Sequence, residues 1–299
     1  MLFPSAETAG RCLAFLAEGR VVALGGRRWA TVYAVFYKNA EKERARMFWQ
    51  HTGEGVSTRL VGVVRRLWGR GLLQEIPQSN ELYDTLPSLE RGTWESLKIS
   101  EGDAAKTHLR TDIASLISTP TVTVDAADVF LYPSGMSAIF ALHRTLLSLS
   151  PTPRKSICFG FGYTDTLKIL SKWGPGSLFY GHGTSSDLDD LERQLEEGEE
   201  FVALWCEIPS NPLLRTPDLK RIRRLTRKHG FPVVIDDTLA TCVNVDVTPY
   251  ADVIVTSLSK AYSGKGNVMG GRYVYASGVE VVGWVGNLEW LDDISGGVN

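Results

Sequence analysis

No stretch of the 299 residues approaches the roughly 18 consecutive apolar positions of a membrane-spanning helix. The opening Met1-Leu2-Phe3-Pro4-Ser5 also lacks the charged and apolar regions of a secretory signal, so the expected compartment is the cytoplasm. Cysteine is scarce: Cys12, Cys158, Cys206 and Cys242 show no CxxC spacing and read as reduced thiols of a cytosolic protein, three of them in or beside apolar runs. Charge of either sign is not in surplus. A formal net charge of -2 and a pI near 6.2 give no general reason to expect nucleic acid or an anionic membrane as partner, so a small anionic ligand would need a local site. No internal repeat and no low-complexity segment interrupts the chain. What remains, 43% hydrophobic and 22% charged residues, is ordinary for one large globular domain or two modest ones.

From about residue 126 onward, β-branched and aromatic runs alternate with amphipathic stretches, as βαβ units around a mostly parallel sheet require. The expected strands are Val129–Tyr132, Ser156–Phe159, Phe201–Glu207, Pro232–Ile235, Asp252–Thr256 and Arg272–Tyr275. A helix is predicted with Thr216 as cap, Pro217 at its first position, Leu219, Ile222 and Leu225 on one face, and Gly230 as its stop. Its Arg221, Arg223, Arg224, Arg227 and Lys228 form a basic stripe, for which a solvated face is a sufficient account. The acidic segment Asp187–Glu200 reads as another solvated helix. Earlier in the chain come an amphipathic opening (Ala9–Glu18), a β-rich run (Thr31–Tyr37) and a helix-like Ala40–Gln50. Gln74–Leu97, polar and broken by Pro77 and Pro87, is expected on the surface or crossing to a partner chain.

Three strand ends carry groups capable of chemistry. Val233-Val234-Ile235 runs into Asp236-Asp237-Thr238 at the edge where α/β sheets bind ligands. A carboxylate there can keep a ring nitrogen protonated, although a metal-binding pair or a strand-end cap fits the same residues. Asp252–Thr256 runs into Ser257-Leu258-Ser259-Lys260, followed by Gly264, Gly266, Gly270 and Gly271. The two hydroxyls could reach a phosphate, and the lysine, its pKa lowered by burial, could bind a carbonyl; a surface lysine is the plainer alternative. Leu131-Tyr132-Pro133-Ser134-Gly135-Met136-Ser137 leads from a strand into a helix at Ala138–Leu149, offering free amides to an anion. This turn has neither the GxGxxG nor the GxxxxGK[ST] fingerprint, which argues against a nucleotide-binding module.

In this order, these pieces resemble the pyridoxal-phosphate-dependent enzymes of cysteine and methionine metabolism, specifically the fungal type of the cystathionine γ-synthase family. The resemblance rests on Phe48-Trp49-Gln50-His51-Thr52-Gly53-Glu54-Gly55, Pro133-Ser134-Gly135-Met136-Ser137-Ala138 and Gly160-Phe161-Gly162-Tyr163-Thr164-Asp165-Thr166-Leu167-Lys168. It continues through Glu207-Ile208-Pro209-Ser210-Asn211-Pro212-Leu213-Leu214, Asp236-Asp237-Thr238, Ser257-Leu258-Ser259-Lys260 and Val268-Met269-Gly270-Gly271, ending near residue 275. It implies an α/β, aspartate-aminotransferase-like large domain with a mostly parallel sheet. Pyridoxal 5'-phosphate would be held by Lys260 as the covalent attachment, with Asp236 at the ring nitrogen and Asn211 near the ring hydroxyl. Gly135 and Met136 amides with Ser257 and Ser259 hydroxyls would take the phosphate. The aromatic stacked on the ring would be Phe161, counting back from Thr164, or else Tyr163. Arg59, in Val56-Ser57-Thr58-Arg59, would reach the phosphate of a partner subunit, against the plain alternative of a surface arginine.

The resemblance divides the chain into an N-terminal segment (1–100), a cofactor-binding domain (101–275) and a divergent or truncated tail (276–299). From Tyr273 to Asn299 there is no lysine or arginine, so the substrate-carboxylate arginine of the family's C-terminal domain is missing and that domain is expected to be absent. The implied reaction is γ-replacement on an O-acylhomoserine by cysteine, giving cystathionine, in a homodimer or homotetramer that takes small amino-acid substrates. A γ- or β-lyase and a catalytically degenerate partner chain are the alternatives.

Overall fold

The computed structural model describes residues 1–26, 29–76 and 99–276. The chain forms two compact units, the first built up to Ala105 and the second spanning Lys106–Leu288.

In the first unit, β1 (Leu2–Phe3), β2 (Gly19–Gly26), β3 (Trp29–Tyr37) and β4 (Gln74–Ile76) pair antiparallel in the order β1-β3-β2-β4. Alternation places Val22, Leu24, Val32 and Ala34 on one face, where they pack with Val64 and Leu67 of the helix Thr58–Gly69. The opening helix is Ala6–Phe15 rather than Ala9–Glu18, because Ser5 accepts from the Thr8 amide and so fixes an earlier start. The next helix, Lys42–Thr52, ends where Gly53 takes a left-handed φ of 61°. Of the polar stretch Gln74–Leu97, the first three residues are β4 and residues 77–97 lie outside the described ones, as does the tail beyond Ala276.

The second unit is a seven-stranded sheet. Its strands are β5 (Val129–Tyr132), β6 (Lys155–Phe159), β7 (Ser177–Tyr180), β8 (Phe201–Glu207), β9 (Val233–Asp236), β10 (Val253–Ser257) and β11 (Gly271–Tyr275), in the order β5-β11-β10-β9-β8-β6-β7. β10, β9, β8, β6 and β7 run parallel, and β11 is antiparallel to both its neighbours. The near-continuous apolar strands follow from burial on both faces. Leu204, Val233, Ile235, Ile254 and Val274 face a core shared with Ile113, Leu188, Leu191, Ile222 and Leu225. Trp205, Val234, Val255 and Tyr273 face the opposite core with Ala138, Leu142, Ile169 and Leu170. This is the α/β, mostly parallel architecture expected. The sequence reading omits β7, a short edge strand with Phe179 exposed, whose pattern is too weak to register.

The basic helix is Leu219–His229, and its cap is Asp218 rather than Thr216. The Asp218 carboxylate accepts from the Arg221 amide at 2.9 Å, which leaves Pro217 outside the helix. Its stripe is not simply a solvated face. Arg221 meets Asp189 and Glu192 of the acidic helix Ser185–Glu196, and Lys228 meets Glu196. Arg223 is buried against Asp252 at 2.7 Å. Among the described residues, no helix is long and apolar enough to cross a membrane.

Candidate cofactor site

The parallel register brings three strand ends side by side. Glu207 pairs with Asp236, and Asp236 with Val255, so all three side chains emerge on one face at the C-terminal edge of the sheet. They line a cleft of about 330 Å³, counting the open space at its mouth, together with Cys158, Trp205, Gly162, Tyr163 and Thr166. Tyr163 belongs to the loop after β6, and its amide donates to Glu207 Oε2 at 2.6 Å. Its hydroxyl lies 3.4 Å from Asp165, which is itself paired with Lys168 at 2.7 Å. Burial and Asp165 both raise the Tyr163 pKa, so the hydroxyl stays protonated at neutral pH.

Both carboxylates on the cleft floor resist ionisation. Burial, then the charge of Asp236, pushes Glu207 up to about 7, opposed by the Tyr163 amide. Burial pushes Asp236 up to about 6, opposed by hydrogen bonds from Thr238. Cys158 is raised to about 12 by burial and by Glu207, and is therefore a thiol rather than a nucleophile. Asp237 points elsewhere. Its carboxylate takes the Thr256 hydroxyl and faces the buried Arg272 at 3.8 Å, so the two adjacent aspartates serve different surroundings. Among the described residues no group of three or more His, Cys, Asp or Glu could hold a metal ion, and the partners of Asp237, Thr256 and Arg272, turn it away from a pair with Asp236.

A chain of contacts links this cleft to the turn after β5. The Thr238 amide donates to Asp236 at 2.9 Å, and the Ser257 amide donates to the Thr238 hydroxyl at 2.8 Å. Ser257 lies so close to Gly135 that a Cβ added there would stand 2.8 Å from the Ser257 Cβ. A Cβ on Gly271 would come within 2.2 Å of the Ser134 carbonyl oxygen. Two glycines thus let three backbone segments converge. The helix beginning there is Gly135–Leu149, one turn longer than expected because the Ser134 hydroxyl accepts from the Ser137 amide and moves the cap forward. Gly135 and Met136 occupy its first turn, where amides have no partner within the helix.

Other expected site residues are placed less directly. Lys260 follows β10 in a turn, Leu258–Tyr262, with non-helical φ -96° and ψ -125°. Its side chain is exposed and outside the cleft lining, which corrects the expectation of a buried lysine: beyond the sheet edge neither core layer covers it. Ser259 spends its hydroxyl on Gly270, accepting from that amide at 3.0 Å and lying 3.3 Å from its carbonyl. Asn211 is exposed, between two cis prolyl bonds. Phe161 and Tyr163 are both exposed, at 41% and 50%, and of the two Tyr163 lines the cleft. Arg59 is an exposed residue in the first turn of Thr58–Gly69, in the other unit. Glu207 received no role from sequence reasoning; the available signal was a polar residue ending an otherwise apolar strand.

The arrangement fits pyridoxal phosphate. Asp236 is a desolvated carboxylate with no cation among the groups that shift it, suited to a protonated ring nitrogen. Tyr163 offers an aromatic face at the cleft, and the Gly135-Met136 amides offer the positive end of a helix to a phosphate.

A model of the Cys/Met metabolism PLP-dependent enzymes matches residues 102–297, further than the point near residue 275 where the sequence reading ends the resemblance. A model of the fungal trans-sulfuration enzyme N-terminal domain matches residues 1–57. Cystathionine gamma-synthase of Neurospora crassa is 56% identical over 153 residues, 50% of this chain and 25% of its own length. Cystathionine gamma-synthase-like enzyme iboG1 of Amanita muscaria is 39% identical over 267 residues, 77% of this chain and 43% of its own. The chain therefore spans less than half the length of these relatives. Among solved structures, cystathionine gamma synthase from Xanthomonas oryzae pv. oryzae shares the fold, with a TM-score of 0.50 and 21% identity over 65% of this chain and 47% of that one.

Proposed function

The chain belongs to the Cys/Met metabolism family of pyridoxal-phosphate-dependent enzymes, and from that premise we propose γ-replacement on an O-acylhomoserine, with cysteine as the incoming thiol and cystathionine as product. The observation that carries the reaction is the high identity with the Neurospora cystathionine gamma-synthase across the half of the chain that includes part of the cofactor-binding region.

Pyridoxal phosphate, when bound, supplies an aldehyde for amine attachment and an electron-withdrawing ring that holds negative charge from the substrate's α-carbon. Asp236 holds the proton on the ring nitrogen. The amides of Gly135 and Met136 and the hydroxyl of Ser257 bind the phosphate, with Ser259 joining by releasing Gly270. Asn211 meets the ring hydroxyl, and Tyr163, in preference to Phe161, covers the ring face. Lys260 is the attachment amine. With the cofactor bound and the substrate's amino group in its place, the free Lys260 Nζ would move a proton from the α-carbon, give it up, and then take one from the β-carbon, so that the bond between the γ-carbon and the ester oxygen breaks, the acyl group leaves as a carboxylate, and a thiol can add at the γ-carbon. Arg59 extends to the phosphate of a partner subunit in a homodimer or homotetramer. The free thiols of Cys12, Cys158, Cys206 and Cys242 support the cytoplasm as the compartment.

A second reading has its own observation. Alanine racemase ungC of Aspergillus violaceofuscus is 38% identical over 82% of this chain, so a shared cofactor domain does not fix the reaction. The deciding experiment supplies purified protein with pyridoxal phosphate, O-acetylhomoserine and cysteine. Cystathionine formation that disappears in Lys260→Ala is the expected result. Oxobutyrate without cystathionine marks a γ-lyase, visible cofactor absorbance without any product marks a degenerate partner chain, and no cofactor uptake overturns the reading.

A further inference from the structure

Glu207 has no counterpart in the cofactor roles above, yet it stands at the centre of the cleft. Its strand fixes it beside Asp236 through the β8–β9 register, and its Oε2 receives the Tyr163 amide at 2.6 Å. The loop between β6 and the helix Thr164–Lys172 fits closely around that carboxylate: a Cβ on Gly162 would stand 3.3 Å from the same oxygen. Gly160 ties the start of the loop to the Tyr180 carbonyl and the Tyr163 carbonyl accepts from the Thr166 and Leu167 amides, while the Tyr163 amide is held by Glu207.

We propose that Glu207 is a positioning residue that anchors the Tyr163 main chain and so holds the tyrosine ring against the cofactor face, a role distinct from the ring-nitrogen partnership of Asp236. This rests on the assignment of the cleft to pyridoxal phosphate. Two neighbouring features agree with it. Gly162 leaves room for the carboxylate to reach the amide, and the Tyr163 hydroxyl is tied by Asp165, so ring and backbone are fixed from opposite ends. The side chain suits an anchor in either protonation state, since a carboxyl oxygen accepts a hydrogen bond whether or not the group is charged.

The test is a double-mutant cycle read in two ways. Hydrogen exchange at the Tyr163 amide in cofactor-free protein should be slow in the wild type and in Glu207→Gln, whose amide oxygen still accepts, and fast in Glu207→Leu. The pyridoxal phosphate dissociation constant, from visible absorbance, should rise about tenfold in Glu207→Leu, the worth of one such hydrogen bond. Glu207→Gln should restore it, and Glu207→Leu should add nothing in a Tyr163→Ala background. A tenfold loss that persists in Tyr163→Ala, or unchanged amide exchange in Glu207→Leu, overturns the anchor. Failure of the wild type to bind the cofactor overturns the cleft assignment instead, while the exchange result still decides whether Glu207 holds the loop.

Discussion

Glu207 and Asp236 stand side by side at the edge of a buried sheet, and burial raises both above their ordinary range, to about 7 and about 6. Their folded-state values exceed those of the unfolded chain, so between roughly pH 4 and 7 the folded protein binds more protons than the unfolded one. Stability linked to these groups is therefore greatest at the acidic end and is lost as pH rises through 6 and 7. Discounted for the water that reaches Glu207, the loss is on the order of 2 kcal/mol between pH 5 and 8. Urea unfolding of cofactor-free protein should show it, and Glu207→Gln should flatten the slope. Bound pyridoxal phosphate should flatten it too, because a protonated ring nitrogen compensates Asp236. His143 works in the opposite sense. It is buried on the Gly135–Leu149 helix with both ring nitrogens lacking hydrogen-bond partners, and burial lowers it to about 4. Its contribution is complete above about pH 6.5, where the unfolded imidazole is also neutral, and falls as pH drops toward 4. His143→Leu should match or exceed wild-type stability at pH 7 and exceed it further at pH 5, since it replaces two unsatisfied buried nitrogens with carbon.

At the scale of elements, the site depends on how closely three segments approach: the turn after β5, the end of β10 and the start of β11. Gly135→Ala puts a methyl group 2.8 Å from the Ser257 Cβ, between backbone segments that cannot turn aside. A stability loss of about 1–3 kcal/mol, from overpacking, should come with weaker pyridoxal phosphate binding, measured by urea unfolding and by visible absorbance. Arg223→Ala should cost about 3 kcal/mol without touching the cleft, because it removes the cation from the buried Asp252 carboxylate and leaves it the Val233 amide. These examples mark what a linear reading can and cannot reach. The strand runs ending in Asp236 and in Ser257-Leu258-Ser259-Lys260 are local apolar patterns followed by polar groups, and the sequence exposes them directly. Glu207 beside Asp236 is a matter of register between strands separated by the helix Leu219–His229, which no local pattern encodes. That Tyr163 rather than Phe161 lines the cleft depends on the path of a loop containing glycine at 160 and 162. The burial of Arg223 escapes notice for a related reason: its partner Asp252 is distant in sequence, and a basic helix looks the same whether one of its charges is sunk or all are solvated.

For the molecule as a whole, the division into two units sorts the proposed cofactor residues unequally. Gly135, Met136, Tyr163, Asn211, Asp236, Ser257 and Lys260 all belong to Lys106–Leu288, whereas Arg59 belongs to the other unit. The two apolar cores of the seven-stranded sheet are composed of residues from this same unit, from Leu109 to Tyr275. A sheet with both faces covered by its own helices has what an independent fold requires. The fragment Lys106–Leu288 should therefore unfold in a single cooperative urea transition, followed by far-ultraviolet circular dichroism, and should take up pyridoxal phosphate on its own. Its affinity should fall below that of the full chain by about the loss caused by Arg59→Ala alone, if Arg59 is what the first unit contributes. A fragment that binds as tightly as the full chain would remove Arg59 from the phosphate site. A cooperative fragment that binds nothing would overturn the assignment of the cofactor site to the second unit, and comparison with full-length Arg59→Ala separates that outcome from the loss of Arg59 alone.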